Sequence, residues 1–271
     1  MHTAPASRTF LQLDGPDAAR YLNGQVTNDV TLADDRRAIQ AFVTDAKARL
    51  QALVTIYRLA GESFLLETEL ELREEILSRL DRYLIADDCE WSDRSADYQL
   101  IHSFDEAAPT GIIRSVERFG RRGRDVIASS AELGKNFSEK EYAASGELAD
   151  FRIAGLIPAW GSELLPGMLV QESGMEQCIS YSKGCYIGQE VISRVKSIGR
   201  VNRSLRAFSF PADSHISEGV EISFGDKCVG TLTTIGSEGK ALGYLHRKAG
   251  DAGSFETTTV NGDRVAVALA E

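Results

Sequence analysis

The chain is poor in the residues from which metal centres and disulfide frameworks are built. Its 271 residues include four cysteines (Cys89, Cys178, Cys185 and Cys228) and four histidines, and no two cysteines form a CxxC pair. That spacing gives no zinc-type ligand cluster and no disulfide scaffold. Also missing is any apolar run near the ~20 residues that a membrane-spanning helix needs. The start, Met1-His-Thr-Ala-Pro-Ala-Ser-Arg8, lacks the charged-then-apolar pattern of a signal peptide. The expectation is a cytoplasmic protein with reduced thiols, in which Cys89, Cys178 and Cys228 serve as small buried hydrophobes.

Positive charge is scarce as well. A net charge of −10 argues against a nucleic-acid-binding surface. One segment runs the other way: Lys183, Arg194, Lys196, Arg200, Arg203 and Arg206 stand with a single acid, Glu190, for a local charge of +5. It reads equally as an anion site and as a solvated helix face with its linker.

What the chain does have is the stretch Tyr181-Ser-Lys-Gly-Cys-Tyr-Ile-Gly-Gln-Glu190. Gly184 and Gly188 suggest a backbone that turns tightly or comes close to something. After Gly188, Val191, Ile192 and Val195 have helical spacing. Cys185 is therefore expected in a loop ahead of a helix N-terminus, where free amides and the helix dipole favour a thiolate.

Around this stretch the pattern predicts strands at 8–14, 36–44, 49–59 and 63–68, with a short helix between Pro16 and Asn23. An amphipathic helix is predicted over 70–84. Ser138-Glu-Lys-Glu141 looks like a capping box opening a helix toward Ala154. The arginines 118, 121, 122 and 124 read as a surface loop. After Arg203, short β runs at 204–210, 220–224, 227–235, 240–247, 255–260 and 263–269 predict a small barrel or sandwich, with turns at Gly225-Asp226 and Asn261-Gly262. The body before it reads as α+β.

Lys183-Gly-Cys-Tyr-Ile-Gly-Gln-Glu190 resembles, without a gap, the K-G-C-Y-[TI]-G-Q-E motif of the YgfZ-type branch of the glycine-cleavage aminomethyltransferase superfamily. Tyr21-Leu-Asn-Gly-Gln-Val-Thr-Asn-Asp29, Asp45-Ala-Lys-Ala-Arg49, Arg152-Ile153 with Pro158, and Leu169-Val-Gln-Glu172 resemble further elements of that family. The resemblance implies an α+β fold of three subdomains round a central opening. Two intertwined α+β parts would occupy residues 1–202 and a C-terminal β-barrel residues 203–271. It implies a tetrahydrofolate site in that opening and a role in assembling or maintaining iron–sulfur enzymes, including a radical enzyme that modifies tRNA. Three departures stand out: Ala48 and Leu156 replace family glycines, and Ala154 stands where many members carry a glutamate.

On this resemblance Cys185 is the functional group, and Lys183, Tyr186, Gln189, Arg152, Gln171 and Asn28 are assigned to the folate. A pterin needs a few polar contacts and a flat slot, and the basic run suits a glutamate tail. Cys185 could attack a folate-borne one-carbon unit, exchange disulfides or touch a cluster. The alternative is a folate-dependent aminomethyltransferase, which relies on an aspartate in the strand after the Asp45–Arg49 turn. That strand begins Leu50-Gln-Ala-Leu-Val54 and has no carboxylate, Asp45 being the nearest. A cysteine hydrolase using His246 or His102 as base, and a scaffold binding RNA or protein through the basic run, complete the readings.

Overall fold

Three antiparallel sheets organise the described residues, 1–105, 110–199, 201–250 and 253–270 of a computed structural model. The first contains β1 (Thr9–Asp14), β2 (Ile39–Thr44), β3 (Leu50–Arg58), β4 (Ser63–Thr68) and β5 (Glu90–Asp93), in the order β2-β3-β4-β1-β5. The second contains β6 (Gln99–Ser103), β7 (Ile112–Glu117) and β8 (Arg122–Ala128), with β8 central. The third is a closed barrel of β9 (Arg203–Ser209), β10 (Glu221–Phe224), β11 (Lys227–Ile235), β12 (Lys240–His246), β13 (Ser254–Thr258) and β14 (Arg264–Leu269). The helices are α1 (Ala18–Gln25), α2 (Arg73–Asp81), α3 (Ser130–Asn136), α4 (Ser145–Gly155) and α5 (Gln189–Ile198). No helix among the described residues is long and apolar enough to cross a membrane.

The chain divides into two units interleaved in sequence. One holds Met1–Arg118, Arg122–Ala143 and Met175–Arg194; the other holds Phe119–Arg121, Ala144–Gly174 and Val195–Glu271.

In the first unit, Phe10, Tyr57, Leu65, Leu100, Val116 and Ile127 form one cluster drawn from both open sheets. Helix α1 buries Ala18, Tyr21, Leu22 and Gln25, the face that a 3.6-residue period predicts. The helix expected over 70–84 is shorter. It opens with a 3-10 turn at Leu70–Leu72 and closes at Asp81, where the amides of Tyr83 and Leu84 bond back to the carbonyls of Leu80 and Asp81 and tighten the chain out of the helix.

Two further expectations change in this unit. Ser138 caps only a 3-10 turn, Glu139–Glu141, because backbone bonds between His2 and residues 141 and 143 hold the chain extended. The capping box is instead Ser129 with Glu132, at the start of α3. Arg118 is not a surface-loop residue. Its guanidinium bonds both oxygens of the fully buried Asp125 at 2.8 and 2.9 Å, and reaches Glu67 at 2.6 Å, Tyr57 at 2.9 Å and Thr55 at 3.1 Å. Arg8 meets Glu67 from another direction, and His102 Nδ1 lies 2.8 Å from Asp125. Burial pushes the Asp125 and Glu67 carboxyls up, but the Arg118 charge and hydrogen bonds, joined by Arg8 at Glu67 and His102 at Asp125, together outweigh it and hold both below their usual range.

In the second unit, Phe208, Ile222, Leu232, Ala241, Phe255 and Val267 fill the barrel. Its strands fall where alternation placed them, and Gly225 (φ +58°) and Gly262 (φ +90°) make two of the turns between them. Gly120 lies against α4: a β-carbon on it would stand 2.6 Å from Gly155 Cα. Helix α4 ends with Leu156 left-handed at φ +53°, while the Ile157 amide bonds the Arg152 carbonyl at 2.9 Å.

Candidate functional site around Cys185

A helix leaves its last carbonyls without partners. For α1 these partners come from far along the chain. The Ile187 amide donates to the Gly24 carbonyl at 3.2 Å. The Lys183 ammonium donates to the carbonyl oxygens of Asn23, Val26 and Asn28, each at 2.6 Å, and approaches Asn23 Oδ1 at 3.2 Å. It also sits 4.7 Å from the centre of the Tyr186 ring. Burial pulls this ammonium down to about 7, with the Asp29 carboxylate opposing the shift.

The rest of the loop is stitched to the same region. Thr27 Oγ1 donates to the Cys178 carbonyl at 2.6 Å and accepts from the Phe42 amide at 2.9 Å. The Ser180 amide reaches the Thr27 carbonyl, and Thr44 Oγ1 reaches the Ile187 carbonyl at 2.8 Å. Asn28 uses both ends of its amide: Nδ2 donates to the Gln40 and Gln177 carbonyls, and Oδ1 accepts from Asp29 N. Thr44 is held from behind, where buried Arg79 donates to its carbonyl at 3.2 Å and to Gln25 Oε1 at 2.9 Å.

Cys185 stands midway between the two anchors, Lys183 and Ile187, and is exposed with a free thiol. Burial raises the thiols of Cys178 and Cys89, to about 12 and about 11. Cys178 is fully buried as expected, whereas Cys89 and Cys228 are half-buried. Of the two motif glycines, Gly188 is the constrained one: it adopts φ +88°, and a β-carbon there would lie 2.7 Å from Thr44 Oγ1 and 2.8 Å from the Asp45 carbonyl. A β-carbon on Gly184 would meet nothing within 4 Å. Tyr186 is buried, its hydroxyl 3.4 Å from the Ser180 carbonyl and raised by burial to about 12. Gln189 is half-buried and opens α5, whose only buried residue is Ile192.

No family model matches the sequence. Individual proteins do. An uncharacterized protein of Haemophilus influenzae is 29% identical over 79% of this chain and 75% of its own length. A tRNA-modifying protein YgfZ of Klebsiella pneumoniae is 27% identical over 82% of this chain and 76% of its own. An iron–sulfur cluster assembly factor IBA57 homolog, mitochondrial, of Chaetomium globosum is 24% identical over 92% of this chain and 67% of its own. The glycine cleavage system aminomethyltransferase T of Bartonella henselae superposes with a TM-score of 0.82 over 98% of this chain and 84% of that one, at 12% identity, which shows a shared fold.

The chain is thus similar to YgfZ-type proteins and shares the fold of the glycine-cleavage aminomethyltransferase. The glycine departures from the YgfZ-type pattern now have a geometry: Ala48 (φ +59°) and Leu156 (φ +53°) both adopt the left-handed backbone that a glycine takes freely. Ala154 is exposed on α4. Asp45, in the turn ahead of β3, accepts at Oδ1 from the amides of Lys47 and Arg49 and shapes that turn.

The structure gathers Asn28, Lys183, Cys185, Tyr186 and Gln189 in the first unit, while Arg152 and Gln171 belong to the second. There Arg152 donates to buried Glu163 at 2.9 Å and to Thr234 at 3.0 Å, and Thr233 and Thr234 each donate to the other Glu163 oxygen at 2.6 Å. Gln171 is half-buried in a 3-10 turn, Val170–Ser173. Two members of the basic run are committed within the protein. Lys183 is enclosed by carbonyls, Arg203 pairs with Glu172 at 3.0 Å, and Arg200 lies outside the described residues. His102, a base considered for Cys185, is buried beside Asp125. Among the described residues no group of three or more His, Cys, Asp or Glu is arranged to hold a metal ion.

The sequence reading missed Asn23, Thr27, Thr44, Arg79 and Glu163. The family-like stretch Tyr21–Asp29, which contains the first two, was the available signal. The others are ordinary residues until their partners are known.

Proposed function

We propose that this protein is a cytoplasmic accessory of iron–sulfur enzymes, tRNA-modifying ones among them, that binds a tetrahydrofolate and works through Cys185. The observation that carries the reading is the placement of Cys185: an exposed thiol between two anchors on one helix end, inside the motif that marks the YgfZ-type branch. A thiol held in the open can take part in exchange or ligand chemistry that a buried one cannot. The printed names of the relatives, a tRNA-modifying protein and an iron–sulfur cluster assembly factor, support the same role.

The folate part rests on the resemblance and needs narrowing. Asn28, Lys183 and Arg152 commit their polar groups to the protein itself, and the Tyr186 ring is buried. They do not fit as direct pterin contacts. Gln189 remains as a contact candidate in the first unit, where Asn28, Lys183 and Tyr186 build the Cys185 loop, while Arg152 braces Glu163 within the second unit. Aminomethyl transfer is the weaker reading, because β3 carries no carboxylate and Asp45 is engaged by its own turn.

The test is a tetrahydrofolate titration of the full chain, following the fluorescence of Trp91 and Trp160. Saturation below about 1 mM is expected, the range of a weak cofactor complex. A flat titration over that range removes folate from the account.

A further inference from the structure

We propose that Lys183 is a positioning residue: its ammonium closes the open end of α1 and thereby fixes the loop that presents Cys185. This rests on the reading of Cys185 as the working thiol. The geometry is that of a point cation. Three backbone carbonyls, of Asn23, Val26 and Asn28, converge on one nitrogen at 2.6 Å, matching the three N–H donors of an ammonium. The Asn23 carbonyl lies in the last turn of α1, where the helix dipole is negative and unpaired oxygens favour a cation. The second anchor, the Ile187 amide on the Gly24 carbonyl, is four residues further along the loop, so Cys185 is pinned on both sides.

Between the anchors the thiol is exposed and a β-carbon on Gly184 would meet nothing within 4 Å, while the adjoining Tyr186 is buried with its ring 4.7 Å from the Lys183 ammonium. Removing the ammonium therefore frees one end of a short span and leaves several carbonyls without their donor.

The experiment measures amide hydrogen exchange of the full chain by mass spectrometry for wild type, Lys183→Met and Lys183→Ala. In K183M the peptide covering 182–187 is predicted to exchange at least about tenfold faster, the effect of losing one charge-assisted hydrogen bond. The barrel peptides over β11 and β12 are predicted to keep their rates. In K183A, added methylammonium restores protection of the loop, and tetramethylammonium, which has no N–H donor, does not. If K183M fails to fold, Lys183→Arg replaces it. A planar fork cannot point three donors at three converging carbonyls, and the same local loss is expected. Unchanged loop exchange in the folded variants, or equal rescue by both amines, overturns the proposal. Because exchange is read without any client enzyme, this failure is distinct from a failure of the Cys185 reading, which a Cys185→Ala complementation assay reports by itself.

Discussion

Gly188 and Ala48 meet backbone to backbone, and both adopt positive φ, +88° and +59°. A β-carbon on Gly188 would stand 3.3 Å from Ala48 Cα and still closer to Thr44 and Asp45. Gly188→Ala is therefore predicted to destabilise the protein by roughly 2–4 kcal/mol, combining left-handed strain with overpacking. Ala48→Gly relieves left-handed strain but deletes a fully buried methyl group and frees the unfolded chain. These effects nearly cancel, and its stability is predicted to stay within about 0.5 kcal/mol of wild type. Urea denaturation of both variants checks the contrast.

Leu156 offers the same test in the second unit. It caps α4 in the left-handed region and is 41% exposed, so relief of backbone strain is set against lost apolar burial. Leu156→Gly is predicted to move stability by less than about 1 kcal/mol, read in the urea midpoint with an unchanged m-value.

The Arg118 network predicts acid sensitivity. Glu67 and Asp125 have carboxyls below their usual range, so they contribute stability above about pH 4 that is lost as pH falls through their folded values. Arg118→Met leaves two buried carboxylates short of their main cation and is predicted to cost about 3–5 kcal/mol at pH 7. The cost shrinks toward acid pH as the carboxyls take up protons. Chemical denaturation of wild type and R118M at pH 7 and pH 4 reads both effects.

Lys183 acts with the same sign in a higher pH window. Its folded value of about 7 lies below the ~10.4 of an unfolded lysine, so between these the unfolded chain binds more protons. This group alone makes stability rise with pH through that window. Other groups titrate there too, including Cys89 and Cys178, whose raised thiols act in the reverse sense. The difference between wild type and K183M isolates the lysine: the wild-type curve is predicted to climb relative to the mutant from about pH 7 to pH 10.

The barrel was legible because one short-range rule governs it: alternation on strands facing one interior, with glycines at turns such as Gly225 and Gly262. The loop position of Cys185 was legible for a similar reason, since Gly188 and the helical spacing after it are local. What Lys183 does was not. Its partners lie at residues 23–28, and a lysine in a basic run reads as a solvated charge until the fold brings those carbonyls to it. Arg118 was misread in the same way, its acids being Glu67 and Asp125 on two different strands. Ser138 failed more locally: the serine-to-acid spacing was present, but pairing with His2 outcompeted the helix.

The Cys185 thiol is the working group of the proposed function. In cells lacking their own YgfZ-type protein, the wild-type chain is predicted to restore the product of an iron–sulfur tRNA-modifying enzyme. Cys185→Ala, an exposed substitution expected to leave the urea midpoint unchanged, is predicted to fail to do so. Restoration by Cys185→Ala equal to that by the wild-type chain, at equal protein level, would contradict the account.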